Sequence, residues 1–163
     1  MTPFDFIIRE IKPADNAGVA QLIRSVLIEL NVPKTGTAYE DKATDEMFAT
    51  YQNKRACYFV IEYKGEILGG AGIGPLEGQN DNVCELQKMY FSPSIRGKGL
   101  GSKLITQCLE KAKEYEFKQC YIETMPYMHA AQKLYKKNGF HKLSQPMGNT
   151  GHYSCTVWML KDL

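Results

Sequence analysis

The residues with the clearest chemical meaning lie in SPSIRGKGLGSKLITQCL, Ser92 to Leu109. Gly97, Gly99 and Gly101 are interleaved with Arg96 and Lys98, and a run with helical spacing begins directly after them. Glycine has no Cβ, so such a loop can turn sharply and bring its backbone close to a ligand. A helix start adds unpaired N–H groups and the positive end of the macrodipole. Together these features make an anion site, most often one for phosphate. Two common phosphate motifs are absent. The P-loop pattern G-x-x-x-x-G-K-[ST] fails because the sixth position from Gly97 is Ser102. The dinucleotide pattern G-x-G-x-x-G ends on Ser102 from Gly97, on Leu104 from Gly99 and on Pro75 from Gly70. A nucleotide-binding protein is therefore disfavoured.

The remaining reactive side chains exclude more than they assign. The 5 cysteines (Cys57, Cys84, Cys108, Cys120, Cys155) are odd in number, widely spaced and set among apolar residues. No C-x-x-C occurs, and His129, His141 and His152 do not complete a ligand set, so no metal is expected. Reduced core thiols are the reading that remains. The 20 Lys and Arg against 18 Asp and Glu leave a net charge of +2, too small to indicate nucleic acid. No apolar run approaches the ~20 residues of a membrane span. The opening MTPFDFIIREIKPAD carries charges inside its apolar stretch and no small-residue cleavage site, which predicts a cytoplasmic protein without a signal peptide. The length predicts one domain over residues 1–163, and 44% hydrophobic residues suffice for a packed core.

The loop must be held by regular elements, and these are legible. FDFIIREI reads as a strand, and Pro13 and Asp15 suit a helix start. Val19, Leu22, Ile23, Val26, Leu27 and Leu30 recur at helical spacing. A loop follows, then a short helix over Thr44–Tyr51. Two β-rich runs flank Lys64-Gly65, a hairpin signal. VCELQKMYF is a further strand, stopped by Pro93. Leu100, Leu104, Ile105, Cys108, Leu109, Ala112 and Tyr115 form the apolar stripe of the helix behind the loop. KQCYIETM is a buried strand, and Pro126 opens a helix that Asn138-Gly139 ends. GFHKLS and HYSCTVWML are expected as closing strands around QPMGNTG. The order β-α-α-β-β-β-α-β-α-β-β predicts a mixed α/β fold: a mostly antiparallel twisted sheet, one parallel pair around residues 84–125, and helices on both faces.

Arg96-x-x-Gly99-x-Gly101 after the strand ELQKMYFSP, followed by an amphipathic helix, resembles the GNAT superfamily of acetyl-CoA-dependent N-acetyltransferases. That family has Q/R-x-x-G-x-G/A in this context. AAQKLYKKNGF is similar to the family's A-x-x-L-Y-x-x-x-G-F helix, and EL-x-x-MYF-x-P to its approach strand. The likeness is close across residues 84–140 and covers the whole chain in element order. One position departs: the family often has Asn three residues before the Ala of that helix, and here Met128 stands there.

The resemblance implies a GNAT-like sheet whose parallel strand pair splays around acetyl-CoA as cosubstrate. It implies that the amides of Gly97, Lys98, Gly99, Leu100, Gly101 and Ser102 hold the pyrophosphate, with Arg96 shaping the loop and Lys98 adding positive charge. The main chain of Met89, Tyr90 and Phe91 would pair with the pantetheine arm and polarise the carbonyl. Tyr135 takes the place of the family's general acid. Its ordinary pKa of ~10, against ~8.5 for a thiol, keeps the phenol protonated at neutral pH, so it holds a proton to supply to a departing thiolate without large tuning. Glu85 is the candidate general base and Glu123 the alternative; a solvated strand-end carboxylate is the competing reading for each. Tyr39, Glu40, Asp41, Asp45, Glu46, Phe48, His152 and Tyr153 fall where the family builds its acceptor pocket. The expected function is acetyl transfer to a small-molecule or peptide primary amine by direct attack in a ternary complex. The alternative is a non-catalytic acyl-CoA-binding sensor on the same fold. No nucleic-acid or membrane partner is expected, and a homodimer is compatible with the sequence.

Overall fold

The computed structural model describes residues 2 and 5–163. Its elements run β1 (Phe6–Glu10), α1 (Asn16–Glu29), α2 (Met47–Thr50), β2 (Cys57–Tyr63), β3 (Glu66–Pro75), β4 (Val83–Phe91), α3 (Leu100–Glu114), β5 (Gln119–Thr124), α4 (His129–Lys137), β6 (His141–Lys142) and β7 (Val157–Asp162). The strands form one 7-stranded sheet in the order β1-β2-β3-β4-β5-β7-β6. Every pairing is antiparallel except β4 with β5. The mixed, mostly antiparallel sheet expected from the sequence is therefore present. The start of the expected first strand, at Phe4, lies outside the described residues. No described helix is long and apolar enough to cross a membrane.

Alternation along β2 shows why helices occupy both faces. Successive strand side chains point to opposite sides, so Tyr58 and Val60 join Val19, Ile23 and Leu27 of α1. Cys57, Phe59 and Ile61 instead join Leu104, Ile105 and Cys108 of α3. Each fully buried Leu or Ile contributes about 1.5–3 kcal/mol relative to exposure, and Leu104, Ile105 and Ile23 are wholly buried. The Lys64-Gly65 turn has positive φ at both residues (49° and 84°), as a two-residue type I′ hairpin requires.

Three boundaries differ from the sequence reading. The expected helix over Thr44–Tyr51 is divided at Glu46 (φ −128°) into a 3-10 turn, Lys42–Asp45, and the single turn α2. Asp45 is drawn into an ion pair with Arg24 of α1, while Phe48 N–H donates to Asn16 Oδ1 at 2.8 Å. The helix expected from Pro126 starts at His129, because Met128 N–H donates to Met125 C=O (3.1 Å) and closes a separate turn first. The last strand begins at Val157 rather than near His152. Ser154 is held instead by the loop after α1, its hydroxyl donating to Thr35 C=O at 3.1 Å and its N–H to Gly36 C=O at 3.4 Å. Residues 152–155 are thus held against the loop after α1 instead of extending the strand.

Candidate active site

The site is opened by a failure of pairing between β4 and β5. Their parallel register runs only from Val83↔Gln119 to Glu85↔Tyr121, whereas β5 stays paired with β7 as far as Thr124↔Val157. Beyond Glu85 the edge of β4 that faces β5 has no strand partner. A bulge sharpens the divergence: Gly72 lies opposite Gln87 but Gly70 opposite Tyr90. Lys88 adopts φ 47° there, and Tyr58 OH donates to its carbonyl at 2.8 Å. A left-handed non-glycine residue costs about 1–2 kcal/mol, so the bulge is a strained feature. Gly70 and Gly72 leave room for Tyr58: a Cβ at Gly70 would meet its hydroxyl, and one at Gly72 its ring, at 2.6 Å.

On one side of the wedge lies a groove of about 520 Å³ bounded by Met89–Phe91, the glycine loop, and α4 with its approach turn. Gly97 and Gly99 have φ 73° and 74°, conformations suited to glycine, and Gly99 is the N-cap of α3. Nothing lies within 4 Å of a Cβ built on either, so their outer faces are open. Gly101 differs: its Cβ would sit 2.8 Å from Leu134 Cδ2, so it also lets α3 and α4 pack closely. Leu100 turns its side chain into the core, and Ser102 Oγ accepts from Asn138 Nδ2 at 3.2 Å. Lys98 is exposed. Arg96, at the edge of the groove, forms a bidentate ion pair with Glu29 (2.8 and 2.7 Å) and donates to Phe91 C=O (3.1 and 2.9 Å). It ties the loop to the ends of α1 and β4.

On the other side lies a more polar cavity of about 260 Å³. Met89, Tyr90, Met128 and Tyr135 line both spaces, so the two meet at the wedge. Tyr135 is 5% exposed, and its hydroxyl has no hydrogen-bond partner among the described residues. Burial raises its pKa above the ordinary phenol value, so the proton is retained at neutral pH. Met128 occupies the junction, with Thr124 Oγ1 donating to its sulfur at 3.6 Å.

Glu85 is buried in the polar cavity. Gln87 Nε2 donates to Glu85 Oε1 at 2.8 Å, and Tyr51 OH donates to Gln87 Oε1 at 2.7 Å, which fixes the amide's orientation. Burial pushes the Glu85 carboxyl up to about 7, opposed by the Gln87 hydrogen bond and reinforced by the negative charge of Glu123. Glu123 is also raised by burial, although Thr150 Oγ1 (2.7 Å) and Tyr121 OH (3.2 Å) donate to its Oε1. Across the cavity, Asp41 Oδ2 meets His152 Nε2 at 2.8 Å and Lys88 Nζ at 3.2 Å. Burial alone would raise the Asp41 carboxyl, but the His152 hydrogen bond and the Lys88 charge outweigh it and hold it low. The same hydrogen bond to Asp41 raises the His152 imidazole against the cost of burial.

The other residues expected around the acceptor lie elsewhere. Tyr39 stacks with Lys34 and Arg24 at 5.1 and 5.7 Å, and Glu40 accepts from Gly36 N–H at 2.8 Å. Asp45 is paired with Arg24, and Tyr153 is 70% exposed. Tyr51, Gln87, Lys88 and Thr150 were not legible as site residues. One local sign existed: Gln87 and Lys88 are consecutive polar residues inside an apolar strand, which breaks alternation and marks the bulge. Cys84, Cys108 and Cys120 are buried in the core; Cys155, half-buried, lines the polar cavity, and burial pushes its thiol up to about 12.

Comparison with known proteins agrees with this geometry. The acetyltransferase (GNAT) family profile matches residues 24–140. The uncharacterized N-acetyltransferase YjgM of Escherichia coli K12 is 41% identical over 100% of this chain and 98% of its own length. Among solved structures, a GNAT-family acetyltransferase from Staphylococcus aureus Mu50 superposes with a TM-score of 0.86 at 19% identity, covering 97% of this chain and 99% of that one. The Salmonella typhimurium protein YncA, solved with its cofactor acetyl-CoA, gives 0.76 at 22% identity over 98% and 94%. The splayed strands and the glycine loop are thus the local expression of an ancestry that the entire sequence carries: the chain belongs to the GNAT family of N-acetyltransferases.

Proposed function

We propose that the protein, acting as one domain over residues 1–163, transfers the acetyl group of acetyl-CoA to a primary amine. The observation that carries this reading is the junction of two spaces at Tyr135: an open-faced groove beside the glycine loop, and a polar cavity holding the raised carboxyl of Glu85. The amides from Gly97 to Ser102 hold the pyrophosphate at the start of α3. The free edge of β4, Met89 to Phe91, hydrogen-bonds the pantetheine arm as a strand would and polarises the thioester carbonyl.

In the transfer step the amine nitrogen forms a bond to the carbonyl carbon and the carbon–sulfur bond breaks. The proton leaving the amine passes to Glu85, directly or through water, and the departing thiolate takes one from Tyr135. With amine and thioester bound together, no acyl-enzyme is needed, and the raised Cys155 thiol favours none. Initial-rate lines against both substrates should intersect; parallel lines would overturn the ternary-complex reading. Binding of acetyl-CoA without turnover of any amine would favour the acyl-CoA sensor instead. The cytoplasm, where acetyl-CoA is made and spent, is the matching compartment.

A further inference from the structure

The polar cavity has two electrostatic poles. At one, Lys88 Nζ and His152 Nε2 converge on a single oxygen, Asp41 Oδ2, at 3.2 and 2.8 Å. An ammonium group has three donors, and Asp41 is the sole hydrogen-bond partner of Lys88 Nζ among the described residues. The Lys88 side chain is only 10% exposed. At the other pole, Glu85 and Glu123 form no salt bridge among the described residues; their donors are the neutral groups of Gln87, Tyr121 and Thr150. The Lys88 ammonium and an imidazole thus share one carboxylate while two carboxyls nearby have no salt-bridge partner among the described residues.

The backbone adds an independent sign. Lys88 is held at φ 47°, where glycine would be free of strain, yet the chain carries a long cationic side chain there. The bulge directs that side chain into the cavity lining, next to the wedge. The cavity, about 260 Å³, suits a small molecule. A diamine would place its second ammonium against Lys88 and His152, or leave them unmatched. An amine carrying its own carboxylate satisfies both poles.

Resting on the acetyl-transfer reading, we propose that the acceptor is a small zwitterion, a primary amine whose skeleton carries a carboxylate as in a free amino acid, with that carboxylate held by Lys88 and its amine directed to Glu85. Peptide N-termini and diamines, which lack the nearby carboxylate, are the excluded classes.

Thiol release from acetyl-CoA, measured with the L-amino acids, their carboxamides and 1,4-diaminobutane, tests this directly. The best amino acid should exceed its own amide in kcat/KM by at least about tenfold, the scale of a lost charge-assisted contact. Lys88→Met should narrow that acid-to-amide ratio by about tenfold, and Lys88→Arg should preserve most of it. An amide or diamine used as well as the acid would overturn the proposal on the wild-type protein alone, whether or not the variants fold. An acid-to-amide ratio unchanged in Lys88→Met would also overturn it. Calorimetry with acetyl-CoA separates the two layers: binding with turnover of an amide or diamine but of no amino acid refutes the zwitterion alone, whereas no binding, or binding without turnover of any amine, refutes the acetyl-transfer reading with it.

Discussion

Replacing Glu85 with Gln removes one ionisable group and keeps its shape, and its consequences for activity and stability have opposite signs. The burial that raises this carboxyl from an ordinary 4.5 to about 7 disfavours its anion by about 3 kcal/mol, at 1.36 kcal/mol for each tenfold change. Below pH 4.5 both folded and unfolded chains hold the proton, and the stability linked to it is fully present. Between 4.5 and 7 the folded protein keeps a proton that the unfolded chain has lost, so stability falls as pH rises. Above 7 the anion is buried and the whole contribution, about 3 kcal/mol, is gone. Glu85→Gln escapes this cost and can still accept the Gln87 hydrogen bond, so in urea it should match wild type near pH 4 and exceed it at pH 8, by up to about 3 kcal/mol. Activity should move the other way. Wild-type kcat/KM should rise about tenfold per pH unit toward 7 and then level, before the separate limb of an amine near ~10. In Glu85→Gln the rise below pH 7 should vanish and kcat/KM at pH 8 should drop by about 10²-fold. A variant within threefold of wild type at pH 8, or a rise below pH 7 unchanged by the substitution, would refute Glu85 as the base; equal stabilities at both pH values would refute the burial argument.

Other substitutions test the remaining roles. Tyr135→Phe keeps the ring and removes the donor, so kcat should fall by about 10²-fold with the acetyl-CoA KM little changed; a raised KM at constant kcat would make the residue a binding group. Gly99→Val adds β-branching at φ 74°, on the open face of the loop. Acetyl-CoA affinity by calorimetry should fall more than about tenfold, and unchanged affinity would remove the loop from the cofactor site. Gly101→Val should lose stability as well, by about 1–3 kcal/mol in thermal or urea unfolding, because its Cβ meets Leu134 at 2.8 Å. Mass spectrometry after incubation with acetyl-CoA alone should find no acetyl group on Cys120 or Cys155; an acetylated peptide containing either would replace direct attack with an acyl-enzyme.

The sequence by itself determined what depends on neighbouring residues. The stripe from Leu100 to Ala112, the Lys64-Gly65 turn and the glycine loop are set by periodicity and by φ, which residues a few positions apart decide. With the approach strand and the LYKKNGF helix in order, they sufficed for the fold and the family. The site's electrostatics were not legible, because its partners are far apart in the chain: Asp41 meets Lys88 across 47 residues and His152 across 111. The same holds for Arg96, read as part of the loop but anchored on Glu29, 67 residues away. Even Gly101, legible as a motif glycine, shows its packing reason only when Leu134 arrives from another helix. Local sequence could thus offer Glu85 only as one candidate beside Glu123, because its pKa is decided by the burial and neighbouring charges that tertiary structure alone assembles.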